Sequence, residues 1–488
     1  MLSKQKLKLK ERGQIKNHVF KGVDVNLKRL IHSFNDVIVY FDPDVDGGLA
    51  GLLVCRYLAK HNINFSWYIN SNRSHDWTLP MEKVAGKDII AVDFIITAEK
   101  IKELVDAECN IVSMDHHVNR KEFIEYKTPI ARGLVINNQY PFEEEDSRYL
   151  SGAGVVFETL IQLDPEFDII EHRALVGISL LSDVRDIENE LAERYLYYLY
   201  SHKYTGYIKY LIENTLGDKD YGFGLPKMDR NFVDFKFSPA LNACFRFGQE
   251  DMVVNFLLGR GNLNLFYRDE QKKLAKNISS KLNIVELPKL KVAYFYDKEY
   301  PEYADVLSNF VGLVASKNLD GENSVICYMI GEKNNNLYIK RASFRGNING
   351  LDYQKALSDY FLCLGHKSAF GIKGLVPNKK TFVYASRACR VLEANTEHET
   401  KVIEVVNLSF FVGNKAYEIA ENNMYKLSQN QVYIKYTGNC IQRKRAGGNY
   451  IEYEVNGIPV LCFDLSKNFE NGLIMPILDR GLLTFYLQ

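Results

Sequence analysis

The stretch VIVYFDPDVDGGLAGLLVCRYLAK, residues 37–60, determines how this chain should fold. It joins an apolar run, VIVYF (37–41), to an acidic turn that contains glycine, DPDVDGG (42–48), and then to the run LAGLLVCRYLAK (49–60). A short apolar run is typical of a buried strand, and the last run favours a helix. The stretch therefore predicts a strand, a turn and a helix in succession.

Two further apolar runs repeat this arrangement. DIIAVDFIIT (88–97) is followed by AEKIKELVDA (98–107), which has helical spacing of apolar residues, and CNIVSMDHH (109–117) ends in an acid and two imidazoles. Strands that alternate with amphipathic helices indicate a mostly parallel sheet, whose ligands bind beyond the carboxyl ends of the strands. We therefore predict an α/β fold with its site at that edge.

The rest of the chain indicates further domains, as its 488 residues require. The charged run 264–283 predicts a long helix that connects two lobes, KVAYFY (291–296) begins a second α/β pattern, and short strand-like runs follow residue 400. The predicted order is a basic N-terminal arm (1–34), a first α/β domain (35–215), a helical connector (216–285), a second α/β domain (286–395) and a small C-terminal β domain (396–488).

Composition excludes several classes of function. The 61 basic and 61 acidic residues give zero net charge, so a polyanion would have to bind a local basic patch. The eight cysteines form no CxxC pair, which argues against a zinc knuckle and a disulfide framework. No run approaches the roughly 20 apolar residues that span a bilayer. We expect a protein of the cytoplasm with no membrane partner.

The acidic turn predicts a cation site. Its carboxylates at Asp42, Asp44 and Asp46 are two residues apart and would repel one another unless cations lay between them. An EF-hand does not fit, because Leu53 stands where that loop needs an acid. A solvated acidic turn is the alternative interpretation.

Other acids and imidazoles stand at the ends of neighbouring elements. Asp93 follows IIAV, Asp115-His116-His117 follows IVSM, and Asp183 closes the apolar run ALVGISLLS. A mixed carboxylate and imidazole set suits two Mn²⁺ or Mg²⁺ ions about 3.5–4 Å apart. The predicted metal ligands are Asp42, Asp44, Asp46, Asp93, Asp115, His116 and Asp183.

In this order, the motifs resemble those of the DHH phosphoesterases, and most closely the RecJ-like single-strand-specific exonucleases. The family motif DxDxDG is matched by residues 42–47, the lone strand-end acid by Asp93, the DHH motif by residues 115–117 and the last acid by Asp183. Asn137, SGAGVVFETL (151–160) and FSPALNACFRFG (237–248) also match stretches of RecJ-like proteins. The resemblance implies a parallel-sheet DHH domain that binds two divalent cations.

The second lobe resembles the DHHA1 substrate-binding domain of the same family. The matching segments are LSNFVGLVAS (307–316), RASFRG with Ser343 and Arg345, and LGHKSAFG with Gly365 and His366. Leu364 departs from the family pattern, which has glycine there. The resemblance implies that Ser343, Arg345, Gly365, His366, Asn242 and Arg246 bind the substrate, and that an OB-like barrel forms the C-terminal β domain.

The resemblance implies metal-dependent hydrolysis of phosphodiester bonds in single-stranded DNA, from 5′ to 3′. Asp115 and His117 are the predicted catalytic residues; His117 positions the scissile phosphate or stabilises the leaving oxygen, or instead orients Asp115. Single-stranded DNA, RNA or oligonucleotides are the predicted partners, with a single-strand-binding protein or a helicase. Two alternatives stay open: a nuclease for short oligonucleotides or cyclic dinucleotides, and an inactive nucleic-acid-binding subunit of a replication or repair complex.

Overall fold

The computed structural model of the chain describes residues 17–70, 77–117, 125–183, 189–201, 206–215, 228, 230–320, 322–348, 351–395, 401–405, 407–408, 416, 419–420, 423, 432–444, 451–462, 473–479 and 482–487. Within these ranges the chain forms three β-sheets with helices packed around the first two. No helix in these ranges is long and apolar enough to cross a bilayer. All eight cysteines are free, and seven of them are buried.

The first sheet has six strands in the order β2-β1-β3-β4-β6-β5. Its strands are β1 (Val37–Phe41), β2 (Phe65–Ile69), β3 (Asp88–Val92), β4 (Asn110–Asp115), β5 (Glu125–Lys127) and β6 (Arg132–Asn137). All neighbours are parallel except β5 and β6. This confirms the predicted mostly parallel sheet, and it places the carboxyl ends of β1, β3, β4 and β6 at one edge.

Helices cover both faces of this sheet. They are α1 (Val25–His32), α2 (Val45–Lys60), α3 (Met81–Val84), α4 (Ala98–Asp106), α5 (Gly152–Leu163), α6 (Ile170–Ser182), α7 (Glu190–Ser201) and α8 (Gly206–Glu213). Alternate residues of β1 enter opposite cores: Val39 packs in the core with α2, α5 and α6, and Tyr40 packs in the core with α4. The sheet is therefore buried on both faces, as its apolar strands require.

Part of the predicted basic arm packs against this domain. Leu27 and Ile31, on the apolar face of α1, are buried in the larger core, and so is Phe20, which precedes the helix. Residues 1–16, which carry most of the predicted arm's positive charge, lie outside the described residues.

A helical region links the two lobes. It contains α9 (Arg230–Phe232), a π-helical turn (Val233–Phe237), α10 (Ser238–Arg246), α11 (Glu250–Leu257) and α12 (Leu265–Ser280). Helix α12 falls on the charged run 264–283, and the side chain of Asn264 caps it by accepting a hydrogen bond from the Phe266 amide.

The second sheet is mixed and has the order β11-β12-β10-β9-β8-β7. Its strands are β7 (Asn283–Leu287), β8 (Leu290–Tyr296), β9 (Ser324–Lys333), β10 (Asn336–Arg345), β11 (Leu362–Gly365) and β12 (Ala369–Lys373). Only β8 and β9 are parallel neighbours. The associated helices are α13 (Val311–Lys317), α14 (Tyr353–Leu357) and α15 (Lys379–Ala394), and separate apolar cores lie on the two faces of the sheet.

The third sheet confirms a strand-rich C-terminal region. It has the order β13-β14-β18-β19-β17-β16-β15. Its strands are β13 (Lys401–Val405), β14 (Val432–Tyr436), β15 (Ile441–Lys444), β16 (Ile451–Val455), β17 (Ile458–Cys462), β18 (Ile474–Asp479) and β19 (Leu482–Leu487). An OB-fold is a five-stranded barrel, and in the described ranges no pairing closes this seven-stranded sheet, so the OB-like barrel stays a prediction.

Candidate metal centre

The acidic turn lies where β1 passes into α2. Asp42 is buried, and Asp44 caps the helix, since its Oδ1 accepts a hydrogen bond from the Gly47 amide at 3.0 Å. A Cβ atom on Gly47 would lie 2.4 Å from the Asp42 carbonyl oxygen. Only glycine allows the chain to turn this tightly, which is why the acidic pattern ends in Gly47.

Asp46 is held in place by two helices. Its carboxylate accepts hydrogen bonds from the amides of Gly152 at 2.7 Å and Ala153 at 2.8 Å, at the start of α5, and from Ser179 Oγ at 2.5 Å on α6. The N-terminus of a helix stabilises a negative charge. The orientation of this carboxylate is therefore fixed before any ligand binds.

Asp93 follows β3 in an unusual conformation. Its φ of 66° is in the left-handed region, which costs energy for a residue other than glycine. Its Oδ1 lies 3.0 Å from His116 Nε2. A Cβ atom on Gly152 would lie 2.4 Å from that same Oδ1, so Gly152 lets α5 approach both Asp46 and Asp93.

The end of β4 supplies an acid and two imidazoles. His117 Nδ1 lies 2.8 Å from Asp115 Oδ1 and donates a hydrogen bond to it. Asn137, at the end of β6, donates a hydrogen bond from Nδ2 to the His117 carbonyl at 3.0 Å. These contacts fix both the ring of His117 and the backbone that carries it.

His116 lies among acids from three elements. Besides Asp93, its Nε2 lies 3.6 Å from Asp46 Oδ2, and its Nδ1 lies 3.7 Å from Asp183 Oδ2. Asp183 follows the last residue of α6. The structure thus brings together side chains that are far apart in the sequence.

The second lobe reaches this cluster through His366. Its Nε2 lies 3.2 Å from Asp183 Oδ1, and its ring stacks on His117 with centroids 4.8 Å apart and an angle of 23° between the planes. The site therefore lies between the two lobes.

Three groups of side chains offer ligand atoms within 4.8 Å of one another. They are His116, His117 and His366; Asp46, His116 and Asp183; and Asp93, Asp115 and His117. Of the seven predicted ligands, the groups contain Asp46, Asp93, Asp115, His116 and Asp183. Asp42 and Asp44 belong to none of these groups among the described residues, although the charges of both raise the pKa of Asp93.

The acids titrate abnormally because they are buried together. Burial, and then the charges of Asp183 and Asp44, raise the pKa of Asp46 to about 7. Burial and the charge of Asp46 raise the pKa of Asp93 well above its usual value. Burial opposes ionisation of Asp115 too, but the charge and hydrogen bond of His117 hold its pKa below the ordinary value.

This donor set fits a divalent metal. A cation among the carboxylates would remove the repulsion that raises their pKa values. Carboxylate oxygens suit both Mg²⁺ and Mn²⁺, and imidazole nitrogens are ligands of transition-metal ions. The residues present therefore satisfy the chemistry that the predicted ions require.

The predicted substrate residues of the second lobe lie at one end of its sheet. Arg345 Nη1 donates hydrogen bonds to Ser343 Oγ and to the Phe344 carbonyl, both at 2.7 Å, and Arg345 Nε donates to Ser316 Oγ at 3.2 Å. Gly365 has a φ of 137°, and a Cβ there would lie 2.9 Å from the Ala369 carbonyl oxygen. Glycine is thus required in the turn that carries His366.

The two predicted substrate residues of the connector lie on α10. The side chain of Arg246 donates a hydrogen bond to Gln271 of α12, and its carbonyl accepts one from Asn309 of the second lobe at 3.1 Å. Asn242 lies one turn earlier in the same helix. Neither residue belongs to the three ligand groups, and their role in substrate binding stays a prediction.

Sequence reasoning did not identify Ser179 as a supporting residue. Ser179 precedes Asp183 by four positions, a spacing that places two side chains on the same face of a helix. That spacing could have indicated that Ser179 lies on the same face of the helix as a predicted ligand. The contact of Ser179 with Asp46 could not have been found in this way, because it joins residues 133 positions apart.

Comparisons with known proteins agree with this architecture. Residues 36–180 match the family described as "DHH family, N-terminal domain". RecJ from Thermus thermophilus in complex with Mn²⁺ has a similar structure, with a TM-score of 0.67 and 17% identity over 98% of this chain and 72% of that one. The same protein in complex with Mg²⁺ gives a TM-score of 0.59 with 15% identity, over 96% and 69%.

A further structure, exonuclease RecJ bound to manganese, gives a TM-score of 0.50 and 18% identity over 78% of this chain and 97% of that one. At these identities the likenesses show a shared fold. No curated protein sequence matches the chain.

Proposed function

We propose, from the match of residues 36–180 to the N-terminal domain of the DHH family, that this chain is a metal-dependent exonuclease that degrades single-stranded DNA, from 5′ to 3′. One observation carries the proposal: acids and imidazoles from the start of α2 and the ends of β3, β4 and α6 converge where His366 of the second lobe meets them. A site between two lobes can hold metal on one side and a polynucleotide end on the other.

The ligands would come from the first lobe. Asp46, Asp93, Asp115, His116 and Asp183 would hold the ions, with Asp42 and Asp44 beside them. Two Mn²⁺ or Mg²⁺ ions would supply charge neutralisation at the phosphoryl oxygens and lower the pKa of a coordinated water. The hydrogen bonds to Asp46 and the contact between Asp93 and Gly152 would keep the carboxylates in place for this task.

His117 and the second lobe would orient the substrate. Asp115 fixes the His117 ring through Nδ1, so its other nitrogen has a defined direction. His366 lies beside it, and Arg345 could bind a phosphate through two parallel hydrogen bonds. These residues would place the scissile phosphate against the acidic cluster. The single-stranded polymer and the polarity are carried by the resemblance of the sequence motifs to RecJ-like exonucleases.

The test is hydrolysis of labelled substrates with and without Mn²⁺. We expect mononucleotides to be released from the 5′ end of a 20-nucleotide single strand, with little action on a duplex, a dinucleotide or a cyclic dinucleotide. EDTA should abolish the reaction. Cleavage of short substrates alone would refute the polymer assignment, and binding without hydrolysis would refute the enzyme.

Two histidine variants sharpen this test. His116→Ala should abolish turnover without unfolding the chain, because it removes a ligand from the centre. His61→Ala is the control, since His61 pairs with Asp164 at 3.0 Å and has no part in the ligand groups.

A further inference from the structure

The second sheet carries a groove that the proposed chemistry does not use. It has a volume of about 160 Å³, and its walls include Lys340, Arg341, Leu364, Gly371 and Lys373. No carboxylate lines it among the described residues. Its cations make an anionic ligand the natural occupant.

The strand register joins this groove to the predicted phosphate site. Arg341, Ser343 and Arg345 lie on one face of β10, because their partners on β9 all belong to the core beneath α13. Those partners are Met329, Cys327 and Val325. A basic row therefore runs along β10 from the end beside the metal centre into the groove.

A β-bulge places one more cation in this region. The register of β10 shifts between Ile339 and Arg341, so the bulge accommodates Lys340 as an extra residue. The side chain of Lys340 lies against Gly331 and forms an ion pair with Asp297. Lys340 therefore adds a third cation to the wall of the groove, beside Arg341 and Lys373.

The floor of the groove is shallow and partly apolar. Gly371 of β12 lies between Ser343 of β10 and Leu364 of β11. A Cβ atom on Gly371 would meet nothing nearer than 3.7 Å, so the space above it is open. Lys373 stands two residues along the same strand and is exposed. Leu364, which replaces the family's glycine, adds an apolar surface against which a base can pack.

Distance separates the groove from the terminal phosphate site. Four residues along a strand span about 13 Å, which is the separation of Arg341 from Arg345. Because Arg345 is held by Ser343 and Ser316, one phosphate bound there would not also occupy the groove. A ligand that contacts both positions must carry more than one phosphate.

We propose that the groove at Arg341 and Lys373 binds inner phosphates of a single-stranded nucleic acid whose end lies at Ser343 and Arg345. This inference rests on the proposed function and extends it, since it specifies a substrate longer than a dinucleotide. The groove would act by holding the strand and not by taking part in the bond cleavage.

The test is binding, measured without hydrolysis. Fluorescein-labelled dT20 is titrated with the full chain in EDTA, and 5′-phosphorylated dT2 is used as a competitor. For the double variant Arg341→Gln/Lys373→Gln we expect the Kd for dT20 to rise about tenfold or more, with competition by the dinucleotide changed less than twofold. The salt dependence should also weaken, by roughly 0.7 in log–log slope per lost phosphate contact.

Two further variants separate the groove from general charge effects. Arg341→Lys/Lys373→Arg keeps both charges and should bind dT20 nearly as the native chain does. Arg387→Gln/Arg390→Gln removes two exposed cations from α15, which packs on the opposite face of the sheet, and should leave the Kd unchanged.

An unchanged Kd for dT20 in the glutamine double variant would overturn the inference, as would an equal loss for dT20 and the dinucleotide, or no binding of dT20 by the native chain. Hydrolysis with Mn²⁺ is measured in parallel. If the native chain binds dT20 but does not cleave it, the proposed function fails while the binding comparison still decides the role of the groove.

Discussion

Ser179 is the residue whose removal should weaken the proposed metal centre most selectively. Its hydroxyl donates a hydrogen bond to Asp46, and residues that orient a metal ligand typically contribute 10–100-fold to metal affinity. We expect Ser179→Ala to raise the Kd for Mn²⁺ by about that factor, as measured by isothermal titration calorimetry.

Ser182→Ala is the matched control on the same helix. The Ser182 hydroxyl donates to the Ser179 carbonyl, so its loss should leave the Mn²⁺ affinity unchanged. If both variants bound Mn²⁺ as the native chain does, the support that we assign to Ser179 would be wrong.

His172 makes stability depend on pH. Burial, together with the charge of Arg56, lowers its pKa to about 4, although a hydrogen bond to the Phe167 carbonyl and the charges of Glu171 and Asp168 oppose the shift. Its unfolded pKa is about 6.5, so between pH 6.5 and 4 the unfolded chain binds a proton that the folded chain does not. Stability contributed by neutral His172 is therefore lost as pH falls through this range.

The loss attributable to this group approaches about 3 kcal/mol at pH 4. Urea unfolding of the native chain and of His172→Gln at pH 7, 6 and 5 measures it. The variant should lose less free energy of unfolding than the native chain over these steps. Parallel pH dependences would show that His172 is not buried in its neutral form.

At the scale of single residues, the sequence predicts part of the candidate site. Asp93 and Asp115 were placed by one argument, that parallel strands present their carboxyl ends at one edge. The same argument cannot tell which carboxylates of the acidic turn face the centre, because a turn points successive side chains in different directions. Asp44 became a helix cap, and only Asp46 of the three belongs to a ligand group.

Among the secondary-structure elements, helix α5 allows the clearest prediction. Glu158 in α5 pairs with Arg194 in α7, and both side chains are fully buried. The amide of His18 donates a hydrogen bond to the same carboxylate at 3.1 Å, and Asn17 Oδ1 accepts one from Arg194 at 2.8 Å. This network fastens the N-terminal segment and α7 to the helix whose first amides hold Asp46.

Arg194→Met should reduce the free energy of unfolding by about 3–5 kcal/mol, because it leaves Glu158 buried without its cation. The measurement is equilibrium unfolding in urea. The exposed pair of Lys209 and Glu213, at 3.5 Å, provides the control, and Lys209→Met should cost less than about 1 kcal/mol. A similar loss in both variants would contradict the importance of burial.

The existence of elements was easier to predict than their arrangement. The helix α12 and the parallel strands of the first sheet follow from local patterns of apolar and charged residues. The seven-stranded order of the third sheet does not, because it depends on pairings such as β14 with β18 and β17 with β19 that join strands not consecutive in the chain. Hairpin turns show which strands are neighbours in sequence but not how the sheet continues.

At the scale of the whole molecule, the two lobes form one site. The zero net charge requires local patches to attract a polyanion, and the acidic cluster alone would repel it. Cations bound to the first lobe and the basic row of the second lobe would together reverse that repulsion. His366, which contacts Asp183 and His117, marks where the lobes meet.

Anomalous X-ray scattering from crystals soaked in Mn²⁺ tests this account most directly. We predict two peaks about 3.5–4 Å apart, among Asp46, Asp93, His116 and Asp183, and their loss in Asp93→Asn crystals of the same form. Crystals of the native chain with no peak among these residues at saturating Mn²⁺ would contradict the account.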